Sequence, residues 1–168
     1  PLLPRGAGSS QCGQTVGAAL VIDHAKYLNR VVSFDPEART VTVEPGIVLD
    51  ALNAWLKPHG LWFPVDVSTS AQATLGGMAG NNSCGSRSIA YGNMVHNVHA
   101  IGALLADGTT ARFGPAAEMG GALPRVRSLV DSLRTIGARE SDEIDARVPT
   151  VLRRVGGYNI DVFHSVSE

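Results

Sequence analysis

Residues 64–93 read PVDVSTSAQATLGGMAGNNSCGSRSIAYGN. They carry small and polar side chains with neither the alternation of a strand nor the spacing of an amphipathic helix. A stretch this long without elements, inside a compact domain, is functional or disordered. Its charge density is too low for disorder. Gly76-Gly77, Asn82, Ser83 and Gly85 point instead to backbone folded closely around something flat or phosphorylated. Any fold that contains this segment has to be organised around that surface.

A second glycine loop stands near the start, in LLPRGAGSSQCG at 2–13. Tight glycine turns make successive backbone N–H groups converge into a concave anion site. Arg5 adds charge there, and the Ser9 and Ser10 hydroxyls are donors. The dinucleotide fingerprint requires a third glycine three places after the second, and Gln11 stands where it should be. No Gly-Lys-Ser/Thr occurs, so the phosphate loop of nucleotide triphosphatases is excluded as well.

Composition narrows the partners. A formal charge of −1 and an aromatic content of 5% provide neither the basic field nor the stacking platform of a nucleic-acid binder. Cys12 and Cys84 have no metal or redox spacing and are expected as free thiols in a reducing, cytoplasmic setting. No apolar run is long enough for a transmembrane span. The sequence opens at Pro1 within an apolar run, without methionine, and is expected to be a piece of a longer protein.

Along the chain, AALVID at 18–23 predicts a buried strand. Val31 to Glu44 predicts a hairpin around PEAR. Val48, Leu49, Leu52 and Leu56 share one face of a helix that stops at Gly60. Residues 66–93 show no convincing period. VHAIGALLADGTTARF predicts two strands around Asp107-Gly108. Beyond Gly114, helices are expected at about 124–136 and 142–154, ending at Gly156-Gly157. The mixed order predicts an α+β fold rather than a doubly wound sheet. It is read as one partial domain, with a core over 1–113 and a helical extension over 114–168.

PRGAGSS, then TVTVEPGIVLDALNAWLKPHGLWFPVDVSTSAQATLGGMAGNNSCGSRSIAYGN, then ALLADG together resemble the FAD-binding domain of the vanillyl-alcohol-oxidase and p-cresol-methylhydroxylase type. Within it, the likeness is to the D-lactate, glycolate and D-2-hydroxyglutarate dehydrogenase branch, and RRVGGYNIDVF resembles its Gly-Tyr segment. The resemblance implies an FAD-linked oxidoreductase acting on a 2-hydroxy acid, with hydride passing to flavin N5. It implies that Pro4, Arg5, Gly6, Ala7, Gly8, Ser9 and Ser10 form the pyrophosphate loop. Pro64 and Asp66 would line the flavin or its ribityl chain. Thr74, Leu75, Gly76, Gly77, Asn82, Ser83, Gly85 and Ser86 would wrap the pyrophosphate and one flavin face, and Tyr91, Gly92 and Asn93 would close that loop.

Covalent members carry a histidine where Ser9 stands, so the flavin is expected to be held non-covalently. The family's preceding strand-helix-strand subdomain and its C-terminal substrate domain have no counterpart here. The catalytic base and the substrate-binding arginine are therefore expected outside these residues, and none in this chain is assigned as catalytic. An iron–sulphur domain or subunit accompanies some members as electron partner. Two other uses of the fold stay open: a fragment that cannot retain FAD alone, and a reductase of enolpyruvyl sugar nucleotides.

Several single residues have plainer readings. Arg5 is open between phosphate contact and a pairing at the loop base. Asp23 reads as a cap or turn residue. His96 and His99 fall in a stretch read as strand, where their spacing separates them, so no metal site is expected. His24, His59 and His164 read as structural. Cys84 reads as a space-filling residue beside the cofactor, with Arg87 the one cation near it in sequence. The arginines beyond Gly114 alternate with acids and read as a solvated helical face.

Overall fold

A computed structural model of the protein describes residues 1–115, 123–151, 153–155 and 157–164. The chain divides into two compact units, Pro1–Asn97 and a second that begins at Val98.

In the first unit, strands β1 (Leu2–Arg5) and β2 (Leu20–Asp23) pair in parallel, with Arg5 opposite Asp23 at the last register position. The sequence predicts β2 as buried, but all four of its residues are exposed. Among the described residues its sheet has only these two strands. Strands β3 (Val31–Asp35) and β4 (Thr40–Val43) form the expected antiparallel hairpin.

Helix α1 (Leu49–Leu56) buries Leu49, Leu52 and Leu56, the stripe expected from their spacing. It starts without a polar cap because backbone from elsewhere satisfies its first amides. Leu49 N donates to the Ala73 carbonyl and Asp50 N to that of Ser70. A 3-10 turn over Lys57–His59 ends the helix at Gly60, whose φ of 70° is the left-handed conformation that suits glycine. Phe34, Trp55 and His59 gather their rings on this face, with centroids 4.7–5.2 Å apart.

The segment without apparent period contains three short helices: α2 (Leu75–Gly80), α3 (Ser88–Tyr91) and α4 (Met94–Asn97). Each is too short to display a helical stripe, and α2 reads LGGMAG. They are held by the core of this unit, which includes Ile47, Leu52, Val65, Leu75, Met78 and Met94. His96 consequently lies on a helix rather than on the expected strand.

The second unit contains the antiparallel pair β5 (Ile101–Leu104) and β6 (Thr110–Phe113), turning at Asp107-Gly108. Asp107 Oδ1 accepts from Thr109 N, and Gly108 has φ 84°. Helix α5 (Pro124–Arg139) follows, with Val126 and Gly137 buried. Phe163 lies so near Gly137 that a Cβ there would come within 2.9 Å of it. Helix α6 is Ser141–Arg147, shorter than the expected 142–154, because Val148 turns extended ahead of Pro149. Leu152 and Gly156, which that expectation also included, lie outside the described residues. His164 is paired with Asp145 at 3.1 Å.

Candidate cofactor-binding site

The first glycine loop leaves β1 at Arg5. The amides of Gly6, Ala7, Gly8, Ser9 and Ser10 donate to nothing among the described residues, and from Ala7 onward the loop is exposed. Gly8 takes φ +69°, the left-handed conformation that lets a short loop turn back on itself. Consecutive unpartnered N–H groups on a turn of this kind attract an anion, and the two serine hydroxyls extend the donor set.

Arg5 itself is committed elsewhere. Its Nη2 donates to Asp23 Oδ2 at 2.5 Å, and its backbone carbonyl accepts from His24 N. Of the two uses the sequence leaves open, the structure has the pairing at the loop base. Pro4, one residue earlier, sits opposite Ile22 within the strand pair.

The second loop touches the first through Thr74, which is 1% exposed. A Cβ on Gly6 would fall 2.2 Å from Thr74 Oγ1 and 3.7 Å from Gly77 Cα, so only bare backbone fits there. Thr74 also begins α2, its Oγ1 accepting from Gly77 N at 3.3 Å. Leu75 N donates to the Ile47 carbonyl and Gly76 N to that of Pro45. The amides of Leu75, Gly76 and Gly77 are thus engaged within the protein. Gly76 packs on Pro45, whose Cβ would be 2.6 Å from a methyl at that position.

Asp66 holds the far part of the segment. Its Oδ2 accepts from Ser86 Oγ at 2.7 Å and its Oδ1 from Arg87 N at 3.0 Å. Gly85 lies against it, and its amide donates to Ser88 Oγ. Pro64 is half-buried beside the buried Val65. Asn82 adopts φ 45° and accepts from Val95 N, while Ser83 Oγ accepts from Asn81 Nδ2. Tyr91 sets its ring edge-on to Trp62, which in turn carries the Arg87 guanidinium 5.0 Å above its face. Gly92 turns at φ 77° beside His96, and Asn93 N donates to His96 Nδ1.

Burial of the Asp66 carboxyl works against its charge. The Ser86 hydroxyl, the Arg87 amide and the Arg87 guanidinium outweigh that cost and hold its pKa below the usual aspartate value. A depressed pKa contributes stability that is complete above the unfolded value, about 3.9, and is lost as pH falls through the folded one. The urea midpoint is therefore expected to decline below about pH 4, and less steeply in Asp66→Asn; parallel acid branches would refute that role for Asp66.

These loops and their spacing match a family model described as an FAD binding domain over residues 1–114. The chain belongs to the FAD-binding domain family. FAD is accordingly its cofactor, and the α+β architecture expected from sequence is that of the p-cresol-methylhydroxylase-type fold. The D-2-hydroxyglutarate dehydrogenase of Pseudomonas putida is 34% identical over 164 residues, covering 95% of this chain and 16% of its own length. A probable mitochondrial D-lactate dehydrogenase of Danio rerio is 40% identical over 65% of this chain and 22% of its own. The glycolate oxidase subunit GlcD of Bacillus subtilis is 35% identical over 68% and 24%. The FAD-binding domain described here thus spans a quarter or less of the length of these relatives.

A solved alkyldihydroxyacetonephosphate synthase shares the fold at TM-score 0.60 and 22% identity, over 69% of this chain and 21% of its own. The sequence assigns no site role to Gly46, Pro45 or Arg87, and Asp23 reads there as a cap or turn residue. The signal for Gly46 was the motif VEPG, which marks a turn without revealing what that turn packs on.

Proposed function

We propose that this FAD-binding domain serves a flavin-dependent dehydrogenase that oxidises a 2-hydroxy acid. The observation that carries the reading is the run of five unpartnered amides from Gly6 to Ser10, seated against Thr74. Bare amides and two hydroxyls are the donor set a pyrophosphate needs. The bound flavin supplies the hydride acceptor.

In this reading Gly6, Ala7, Gly8, Ser9 and Ser10 hold the phosphates. Thr74 and Gly77 support that loop from beneath, since the amides of α2 are spent on Ile47, Pro45 and Thr74 itself. Pro64, Asp66, Asn82, Ser83, Gly85 and Ser86 shape the wall along the flavin, and Tyr91, Gly92 and Asn93 close it. Ser9 replaces the histidine of covalent members, so the cofactor is held without a bond to protein. None of these residues is assigned to bond breaking.

The hydroxy-acid substrate is supported by the names of the relatives above, and by an alignment with one of them that runs through the helical tail. Neither cysteine is in a disulfide, which agrees with a reducing cytoplasmic site of action. No described helix is long and apolar enough to cross a membrane.

Titration of the purified chain with FAD tests the proposal. Saturable binding, with a change in flavin fluorescence and absorbance, is expected. A chain folded by circular dichroism that leaves the flavin spectrum untouched would overturn it.

A further inference from the structure

Three observations meet at the root of the first glycine loop. Arg5 and Asp23 close the β1–β2 pair, and Asp23 uses both carboxylate oxygens: Oδ2 for Arg5 and Oδ1 for Ala25 N at 3.0 Å. The turn after Asp23 is itself anchored, because Leu28 N donates to the His24 carbonyl and Gly46 N to that of Leu28. Finally, the loop folds back over Arg5, so that a Cβ on Gly8 would stand 3.6 Å from Arg5 Cδ. Arg5 Nε is buried in that position without a partner.

The pair is an unpromising stabiliser. Both side chains are more than a third exposed, at 38% and 39%, and such ion pairs contribute little to folding. Leaving a buried donor unpaired is also unfavourable. What the arrangement does accomplish is geometric. The planar guanidinium, held at one end by Asp23, lays its stem under Gly8 at the left-handed turn of the loop.

We propose that Arg5 and Asp23 are a positioning pair that sets the Gly6–Ser10 amides for the cofactor phosphates, with Arg5 acting through Gly8. The inference rests on the FAD-binding reading above. Asp23 belongs to neither glycine motif, and its place in the site comes only from the strand register and its bond to Arg5. Preorganising a loop improves affinity by removing the cost of ordering it on binding.

The test compares Asp23→Asn, Arg5→Met and the double variant with the unaltered chain. FAD affinity is read by titration, and the Gly6 and Gly8 amides by NMR without cofactor. Each single variant is expected to weaken FAD binding about ten-fold while the melting temperature scarcely moves. The double variant is expected to lose no more than either alone, because both remove one device. In the free chain, Asp23→Asn is expected to shift the Gly6 and Gly8 resonances toward averaged, loop-like positions.

Unchanged resonances in Asp23→Asn would overturn the proposal, as would wild-type FAD affinity in that variant. Loss of affinity in Arg5→Met alone would also overturn it, since Arg5 would then touch the cofactor directly. If the unaltered chain ignores FAD, the functional reading fails by itself. The cofactor-free resonances still decide whether the pair shapes the loop.

Discussion

Alanine in place of Gly6 is expected to weaken FAD binding about a hundred-fold while leaving the chain folded. The added methyl would stand 2.2 Å from Thr74 Oγ1 and 3.5 Å from Thr74 Cβ. Thr74 is 1% exposed, so it cannot swing out into solvent without displacing its neighbours. Rotating its hydroxyl away would forfeit the cap on Gly77 N, a loss of about 1 kcal/mol. The less costly response is for the loop to lift by an ångström or so, which moves its amides off the phosphate positions. Gly6→Ala with Thr74→Ala opens space and is expected to recover part of the affinity at some loss of stability. Titration of the three variants with FAD decides the matter; wild-type affinity in Gly6→Ala would break the argument.

The second large effect falls on stability rather than binding. Gly46→Ala would place a Cβ 2.0 Å from the His24 carbonyl oxygen, 2.5 Å from its carbon and 2.7 Å from the Leu28 carbonyl oxygen. All three neighbours are backbone, so no rotamer change relieves the overlap. The residue has no left-handed φ, and the requirement for glycine is purely one of space. Its amide bonds the Leu28 carbonyl at 2.7 Å, and separation of the two segments would break that bond as well. A loss of about 3 kcal/mol is expected from overpacking of this kind. In a chain this long, that corresponds to a melting temperature lower by about 10 °C. Thermal denaturation followed by circular dichroism measures it, and a shift within a degree or two of zero would show that the 24–28 segment yields freely.

Some of this architecture is legible in the sequence for identifiable reasons. Helix α1 announces itself because Leu49, Leu52 and Leu56 are spaced for one face, and that face is buried. The β5–β6 turn is written in Asp107-Gly108, whose side chain and positive φ are local features. Family membership is carried by two glycine motifs in order, which need no tertiary knowledge. Helix α2 escapes the same reading. Its LGGMAG has no stripe, and its start is fixed by the Thr74 hydroxyl and by carbonyls of Pro45 and Ile47, almost thirty residues earlier.

The candidate site divides along the same line. Residue types that suit a phosphate loop can be recognised one by one, as with Gly6, Ser9 and Ser10. Which donors stay open cannot, because that depends on what the rest of the chain consumes. Gly76 and Gly77 look as available as Gly6 on paper, and their amides are engaged in the folded chain. The partner of Arg5 was hidden for a related reason: eighteen residues separate it from Asp23, and only the parallel register brings them side by side. The exposure of β2 was equally hidden, since an apolar run does not disclose what packs against it.

The chain has two tryptophans, each met edge-on by one other aromatic ring but in different parts of the first unit. Trp55 lies against Phe34 and His59, where hairpin and helix meet, whereas Trp62 lies between Arg87 and Tyr91 on the glycine-rich segment. The molecule therefore contains two native optical probes: the first follows its ring contacts with Phe34 and His59, while the second follows the guanidinium stacked on its face. Time-resolved emission, with each indole replaced in turn by phenylalanine, separates melting of the hairpin–α1 face from displacement of the loop wall. No dye has to be attached to either.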